Sequence, residues 1–226
     1  MYSGFDCHRL DPDHVLWIGH LPEHLVLSAK DFGVLWDMHP AEFHEIKMHG
    51  RLVKTLRWQQ AYGADYHYTG RVNKALPMPS LLDPLLDWAR ATIDPRLNGL
   101  LVNWYEPRLN HYIGKHRDST THMIVGAPIA MISFGGDRVF RMRRWRGQAH
   151  VDFPVTNGSV IIMPYDTNLT WTHEVLPGRE TAPRRISVTI RGFEAKTKRN
   201  GAGKNRPKPP GTAAMTPSVR IQLPIQ

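Results

Sequence analysis

The chain has 226 residues, 41% hydrophobic and 22% charged, enough apolar material for the core of one large domain or two small ones. A single cysteine, Cys7, excludes an internal disulfide and a cysteine-based zinc site, and suits a reducing compartment. The formal net charge of +9 favours an acidic partner, of which nucleic acid is the commonest, but seven Lys/Arg against one acid lie from Glu194 onward, so +6 of that excess sits in the tail.

The opening residues, MYSGFDCHRLDPDH, lack the basic-then-apolar order of a signal peptide. The longest apolar-leaning stretch, 124 to 134, is too short to span a bilayer. The expectation is a cytoplasmic monomer without a membrane partner, or a nuclear one in a eukaryotic cell. HVLWIGHLP, 14 to 22, reads as a first strand. Ser28-Ala29-Lys30-Asp31 has the form of a capping box and opens an amphipathic helix carrying Phe32, Leu35 and Trp36 on one face. RLVKTLRWQQAYG and DYHYTG then read as extended, with Tyr66 and Tyr68 sharing a strand face.

Pro77-Met78-Pro79-Ser80 breaks the chain. LLDPLLDWARATI follows as a second helix, with Leu81, Leu82, Leu85, Trp88 and Ala89 as its buried stripe. From Asn98 the pattern changes to short β-like runs separated by Gly, Pro, Asn and Asp: GLLVNWYEP, APIAMISF, RVFRMRRW, HVDFPV, SVIIMP, LTWTHEVL and RRISVTIRGF. Their number and spacing predict an α+β, mainly β chain with a jelly-roll core, N-terminal helices and a β extension. The expected division is a strand and helix in 1–50 packing on the core, the core itself in 51–193, and a basic, disordered tail in 194–226.

His116-Arg117-Asp118 admits three readings: a kinase catalytic loop, a metal site, or a surface turn. The kinase loop needs an Asn five residues after the Asp, where this chain has Met123; Ser133 stands in SFGG where the magnesium-binding Asp is needed; and no glycine-rich phosphate loop precedes them. For a metal, residues i and i+2 of a strand project together, so His116 and Asp118 would share a side and Arg117 would face away. Nonheme Fe(II) centres use two His and one carboxylate on one face, and WTHEVLPG supplies His173 from another β-like segment. With 13 histidines in the chain, that pattern alone is weak.

RRISVTIRGF strengthens it. Ile186, Val188 and Ile190 form one face of the strand; Arg185, Ser187, Thr189 and Arg191 form the other. If the polar face looks into a barrel, two buried guanidiniums require an anion there. A dicarboxylate such as 2-oxoglutarate would satisfy both. Asn103 and Tyr105 of NWY add hydrogen-bonding groups on one face. The cluster Arg138, Arg141, Arg143, Arg144 and Arg146 reads either as a solvated strand pair or as a phosphate-contacting surface.

Taken in order, NWYEP, IGKHRD, APIAMISFGG, WTHEV and RRISVTIR resemble the AlkB family of Fe(II)/2-oxoglutarate dioxygenases, from about Tyr62 to Phe193, and QQAYGADYHYTG resembles that family's substrate-side segment. The resemblance implies a double-stranded β-helix fold. It implies Fe(II), 2-oxoglutarate and O2 as cofactor and cosubstrates, and His116, Asp118 and His173 as iron ligands. Arg185, helped by Tyr105, would clamp the far carboxylate of 2-oxoglutarate; Asn103 and Arg191 would hold its near end; Ser187 and Thr189 would line the same wall. The implied activity is oxidative removal of N-alkyl groups from nucleobases of DNA or RNA, with release of aldehyde, succinate and CO2.

Tyr68 would be the stacking platform for a flipped base, with Tyr66 and Trp58 beside it and Arg57 on a phosphate. Repair members of the family often carry an acid just after the His-x-Asp. Here Ser119, Thr120, Thr121 and His122 follow instead, which leaves the choice of base open, with Asp65 as a substitute acid. The alternatives are the same iron chemistry on a protein or small molecule, and a catalytically inert barrel that binds nucleic acid.

Overall fold

A computed structural model describes residues 2–195, apart from His49 and Thr69. Most of the tail expected at 194–226 therefore lies outside the described residues. In chain order the strands are β1 (Asp6–Arg9), β2 (Val15–His20), β3 (Glu45–Met48), β4 (Arg51–Lys54), β5 (Trp58–Tyr62), β6 (Tyr66–Tyr68), β7 (Arg71–Asn73), β8 (Ala75–Leu76), β9 (Gly99–Tyr105), β10 (Ile113–His116), β11 (Ile129–Gly135), β12 (Arg138–Arg144), β13 (His150–Val155), β14 (Ser159–Met163), β15 (Trp171–Val175) and β16 (Arg185–Arg191). The helices are α1 (Ala29–Asp37), α2 (Asp83–Thr92) and a short α3 (Tyr165–Thr170).

Eight strands form one sheet in the order β1-β2-β14-β11-β16-β9-β5-β8, and four form a second in the order β10-β15-β12-β13. All pairings are antiparallel except β5 with β8. The hairpins β3-β4 and β6-β7 stand beside them. This is the jelly roll expected from the spacing of the β-like runs.

Period-two alternation explains how the large sheet positions a site. Every residue of β9 and β16 is buried, so both faces are covered. Leu100, Val102 and Trp104 of β9 and Ile186, Val188 and Ile190 of β16 join one core with Leu35 and Trp36 of α1 and Leu85, Leu86 and Ala89 of α2. The opposite residues of both strands face the second core, between the two sheets, where Leu101 and Tyr105 pack with Met131, Phe140, Phe153, Ile161 and Val175. The helices thus back the sheet and the polar face of β16 turns into the barrel.

Ser28 caps α1 as predicted, its hydroxyl accepting the Asp31 N–H at 3.1 Å, and the Trp104 indole donates to the Leu35 carbonyl at 2.8 Å to fasten the helix to the sheet. The first fifty residues do not simply pack on the core. β2 pairs with β14 inside the large sheet, and residue 50 falls in the β3-β4 turn, so the expected boundary there divides a hairpin. The runs of β1 and α3 carried no strong periodic signal, and neither was expected. No described helix is long and apolar enough to cross a membrane.

Candidate metal and cosubstrate site

β10 and β15 pair antiparallel with His116 directly opposite His173, and the two ring centroids lie 4.2 Å apart. Asp118 completes the cluster: its Oδ1 is 3.4 Å from His116 Nε2 and 3.8 Å from His173 Nε2, and the three ligand atoms lie within 4.8 Å of one another. The expected strand pleat is not what aims Asp118, because β10 ends at His116. The aspartate sits in the following loop, which Asn168 of α3 holds by both ends of its amide. Asn168 Oδ1 accepts the Asp118 N–H at 2.8 Å, and its Nδ2 donates to the Asp118 carbonyl at 3.0 Å. Arg117 donates to the Leu169 carbonyl and stacks 4.5 Å over the Trp145 ring.

The electrostatics suit a cation. Burial, the largest single influence, pushes the Asp118 carboxyl up, but the Arg191 guanidinium together with His116 and His173 holds the group well below the usual carboxylate range. Arg191 donates Nε to Asp118 Oδ2 at 3.0 Å and adds a second bond from Nη2. Burial, and then the neighbouring His116, push the His173 imidazole down to about 3, so it is neutral with a lone pair to offer. His116 Nδ1 lies 2.9 Å from the Gly114 carbonyl; with the proton there, Nε2 is the ligand atom. An ionised carboxylate and imidazole lone pairs are the donor states that a metal requires, and this donor set fits one.

The cavity above the cluster is lined by Arg57, Gln59, Tyr66, Tyr68, Asn103, Tyr105, Arg185, Ser187, Thr189 and Arg191, with Leu101, Met131, Phe140, Ile161 and Val175 as its apolar wall. It holds the six residues expected to meet the cosubstrate. Arg185 is buried, donates Nε to Ser133 Oγ at 2.9 Å and lies 4.8 Å over the Tyr105 ring, while its Nη1 has no partner. A buried guanidinium without a carboxylate calls for an anion. Arg191 lines the same cavity and gives two of its donors, Nε and Nη2, to Asp118 Oδ2, holding the carboxylate of the cluster. Asn103 turns its Oδ1 to Arg57 Nε at 2.8 Å.

The residues expected on the substrate side divide. Tyr66 and Tyr68 stack with centroids 6.0 Å apart, and the Tyr68 ring stands edge-on to His116 at the cavity mouth. Tyr66 lies deeper, under the Arg191 guanidinium at 4.5 Å, with its hydroxyl 3.4 Å from Asp118 Oδ1. Burial and the nearby Asp118 charge raise the Tyr66 hydroxyl, so it stays protonated.

Arg57 is buried and bonded to Asn103, inside the cavity rather than on an outer phosphate-facing surface. Trp58 is a correction. Its side chain belongs to the opposite face of β5, sandwiched between His39 at 4.1 Å and Phe43 at 5.4 Å beside the helix-side core. Alternation from Arg57 and Gln59, which face the cavity, dictates this. Asp65 accepts the Ala75 N–H and pairs with Lys74, which ties it to a turn.

The arginine run of β12 divides as well. Arg141 makes a bidentate pair with Asp152, Arg143 meets Glu174, and Arg138 is buried. Arg144 and Arg146 stay exposed without an acidic partner among the described residues. They flank Trp145, 47% exposed, which with Lys115, Arg117 and Leu169 lines a groove leading from Tyr68 and His116. Asn168 and Gln59 were not singled out from the sequence, and Ser133 was considered only in the kinase reading and not as part of this site. Gln59 and Ser133 were findable from the alternation of their strands; Asn168 gave no local signal.

A family model described as the 2OG-Fe(II) oxygenase superfamily matches residues 25–191. The DNA oxidative demethylase ALKBH2 of Homo sapiens is 29% identical over 157 residues, covering 65% of this chain and 60% of that protein. The alpha-ketoglutarate-dependent dioxygenase alkB homolog 3 of Rattus norvegicus is 28% identical over 103 residues, covering 42% and 35%. The chain thus spans about three fifths of the length of the ALKBH2 relatives it matches. The solved structure of OsALKBH1 superposes with a TM-score of 0.53 at 14% identity, over 83% of this chain and 100% of that one, a likeness of fold.

Proposed function

The chain belongs to the 2OG-Fe(II) oxygenase superfamily and to its AlkB branch, and from that premise we propose that it removes N-alkyl groups from nucleobases of DNA or RNA. The observation that carries the proposal is the shared cavity. One wall bears the His116, Asp118 and His173 cluster, another bears the anion-seeking Arg185, and the mouth bears Tyr68, stacked on the deeper Tyr66.

Family membership implies Fe(II), 2-oxoglutarate and O2. His116, Asp118 and His173 are the residues that would hold the iron, and Arg185 with Tyr105 would bind the cosubstrate's far carboxylate. Bound there, these groups would supply the oxidising power to hydroxylate an N-alkyl carbon, one oxygen atom of O2 going to that carbon and the other to the succinate formed with CO2 from 2-oxoglutarate, so that the alkyl group could part from the nitrogen as an aldehyde.

The chain's own residues prepare that chemistry. Arg191 and Asn168 fix the Asp118 carboxylate and its backbone, so the ligand is aimed before any metal arrives. Leu101, Met131, Phe140, Ile161 and Val175 exclude water from the cavity. Tyr68 offers a face for a base drawn out of its stack, and the groove with Lys115, Arg117 and Trp145 lies where the flanking strand would run. The identification of Ser187 and Thr189 as the wall beside the cosubstrate belongs to the same reading. A nuclear or cytoplasmic site and a monomeric state accompany it as proposals.

The test is succinate and formaldehyde release with Fe(II), ascorbate and 2-oxoglutarate over methylated single- and double-stranded DNA and RNA oligonucleotides, with His116→Ala as control. Formaldehyde above the control on any oligonucleotide supports the proposal and ranks its substrates. Succinate that no oligonucleotide changes, without formaldehyde, moves the substrate to a protein or small molecule.

A further inference from the structure

Arg138 opens β12, whose inward register is Arg138, Phe140 and Met142, all buried; Phe140 lines the cavity two residues along. The Arg138 side chain therefore leaves its strand on the same face as Phe140, beside the residues that line the cavity, in a residue only 5% exposed. Its Nη1 donates to the Asp137 carbonyl at 2.7 Å, but Nε and Nη2 are buried with no partner. The chain makes room for it at Gly178, where a Cβ would lie 2.4 Å from the Arg138 Cζ.

Arg185 is close enough for its charge, after burial itself, to hold the Arg138 guanidinium below its ordinary value, and both interact with Tyr105. Neither arginine forms an ion pair among the described residues, the Asp137 charge reaching Arg138 only from beyond ion-pair distance, whereas Arg191, equally buried, is paired with Asp118. Two buried like charges with open donors make sense only if an anion joins them. One carboxylate offers two oxygens and about four acceptor positions, enough for two guanidiniums.

We propose that Arg138 is a second arginine for the far carboxylate of 2-oxoglutarate, so that Arg138 and Arg185 together set the site's preference for a dicarboxylate. The inference rests on the reading of this cavity as a 2-oxoglutarate site. Arg138 thereby leaves the surface cluster suggested by its sequence neighbours and becomes part of the cosubstrate pocket.

The experiment is ligand-induced thermal stabilisation of the full chain by glutarate, with butyrate as the monocarboxylate control. Glutarate carries the far carboxylate without the keto-acid end, so its binding does not depend on a metal. Wild type, Arg138→Met, Arg138→Lys and Arg185→Met are compared. The expected result is a glutarate requirement at least tenfold higher in Arg138→Met and Arg185→Met, an intermediate one in Arg138→Lys, and a narrower margin over butyrate in all three. Without ligand, Arg138→Met is expected to melt no lower than wild type, since it removes an uncompensated buried charge at similar volume. The KM for 2-oxoglutarate should rise in parallel.

Wild-type affinity for glutarate in Arg138→Met would overturn the role of Arg138 alone. If Arg138→Met does not fold, Arg138→Lys decides, and an unchanged glutarate response there is the overturning result. A wild-type chain that responds to neither glutarate nor 2-oxoglutarate would overturn the cosubstrate reading and this inference together.

Discussion

Asn168→Ala tests the claim that the Asp118 loop is aimed by side-chain hydrogen bonds rather than by a strand. Asn168 is 1% exposed, and its amide satisfies both the N–H and the carbonyl of Asp118 at 2.8 and 3.0 Å. Truncation leaves two buried backbone groups without partners, each costing about 1–3 kcal/mol, so a loss of roughly 2–6 kcal/mol is expected. That is a large part of the ~5–15 kcal/mol that holds a typical domain together, yet small enough to leave it folded. Because the loop carries a ligand atom, metal affinity should also fall by about 10- to 100-fold, the usual effect of removing an outer-shell partner. Urea unfolding gives the first quantity and titration with Mn(II), as a redox-stable probe of the same donors, gives the second. Asn168→Asp keeps an acceptor for the Asp118 N–H but loses the donor to its carbonyl and adds a like charge, so it should not restore either. An Asn168→Ala chain within about 0.5 kcal/mol of wild type and with unchanged Mn(II) affinity would show that Arg191 and Tyr66 suffice to hold the loop, and the reasoning would fail.

Tyr68→Ala should weaken binding of a methylated oligonucleotide by about 1–3 kcal/mol, the worth of one base–aromatic stack, while Tyr68→Phe should not; fluorescence anisotropy reads both. Trp58→Ala should lower the unfolding midpoint and leave oligonucleotide affinity unchanged, because that ring packs between His39 and Phe43. Arg191→Met strips the partner from a buried carboxylate and should cost about 3–5 kcal/mol in metal-free urea unfolding. Burial pushes the Asp11 carboxyl up, but the His14 ring, the Asp13 and His14 amides and the Trp171 indole together bring it down to about 2 from 3.8. A lowered folded-state value means the unfolded chain takes the proton first as pH falls. The contribution is therefore complete above pH ~4 and lost as the pH drops toward 2. Urea unfolding of wild type against Asp11→Asn across that range should show the difference between them vanish at the acid end.

Much of this protein was legible in the order of its residues, and the reason is periodicity. A strand exposes alternate residues to opposite faces whatever it packs against. The two faces of RISVTIR, the shared face of Asn103 and Tyr105, and the jelly-roll count therefore followed from local pattern. The capping box of α1 was equally local, since Ser28 bonds an amide three residues on. His116, Asp118 and His173 were identifiable because chemistry limits which side chains can share a metal.

What the tertiary structure decided is everything that depends on distance across the chain. The antiparallel register of β10 and β15 sets His116 opposite His173, and a residue 50 positions away, Asn168, aims Asp118. Trp58 was misplaced because aromatic character suggested a platform, while the phase of β5 sent the ring to the helix side. Arg138 looked like one of five surface arginines because the sequence shows the charge of a side chain and not its burial. Only the closure of β12 over the cavity shows that its guanidinium lacks an ion-pair partner among the described residues. Local pattern sets which way a residue points; what it meets there is set by the strands and helices that the fold brings to it.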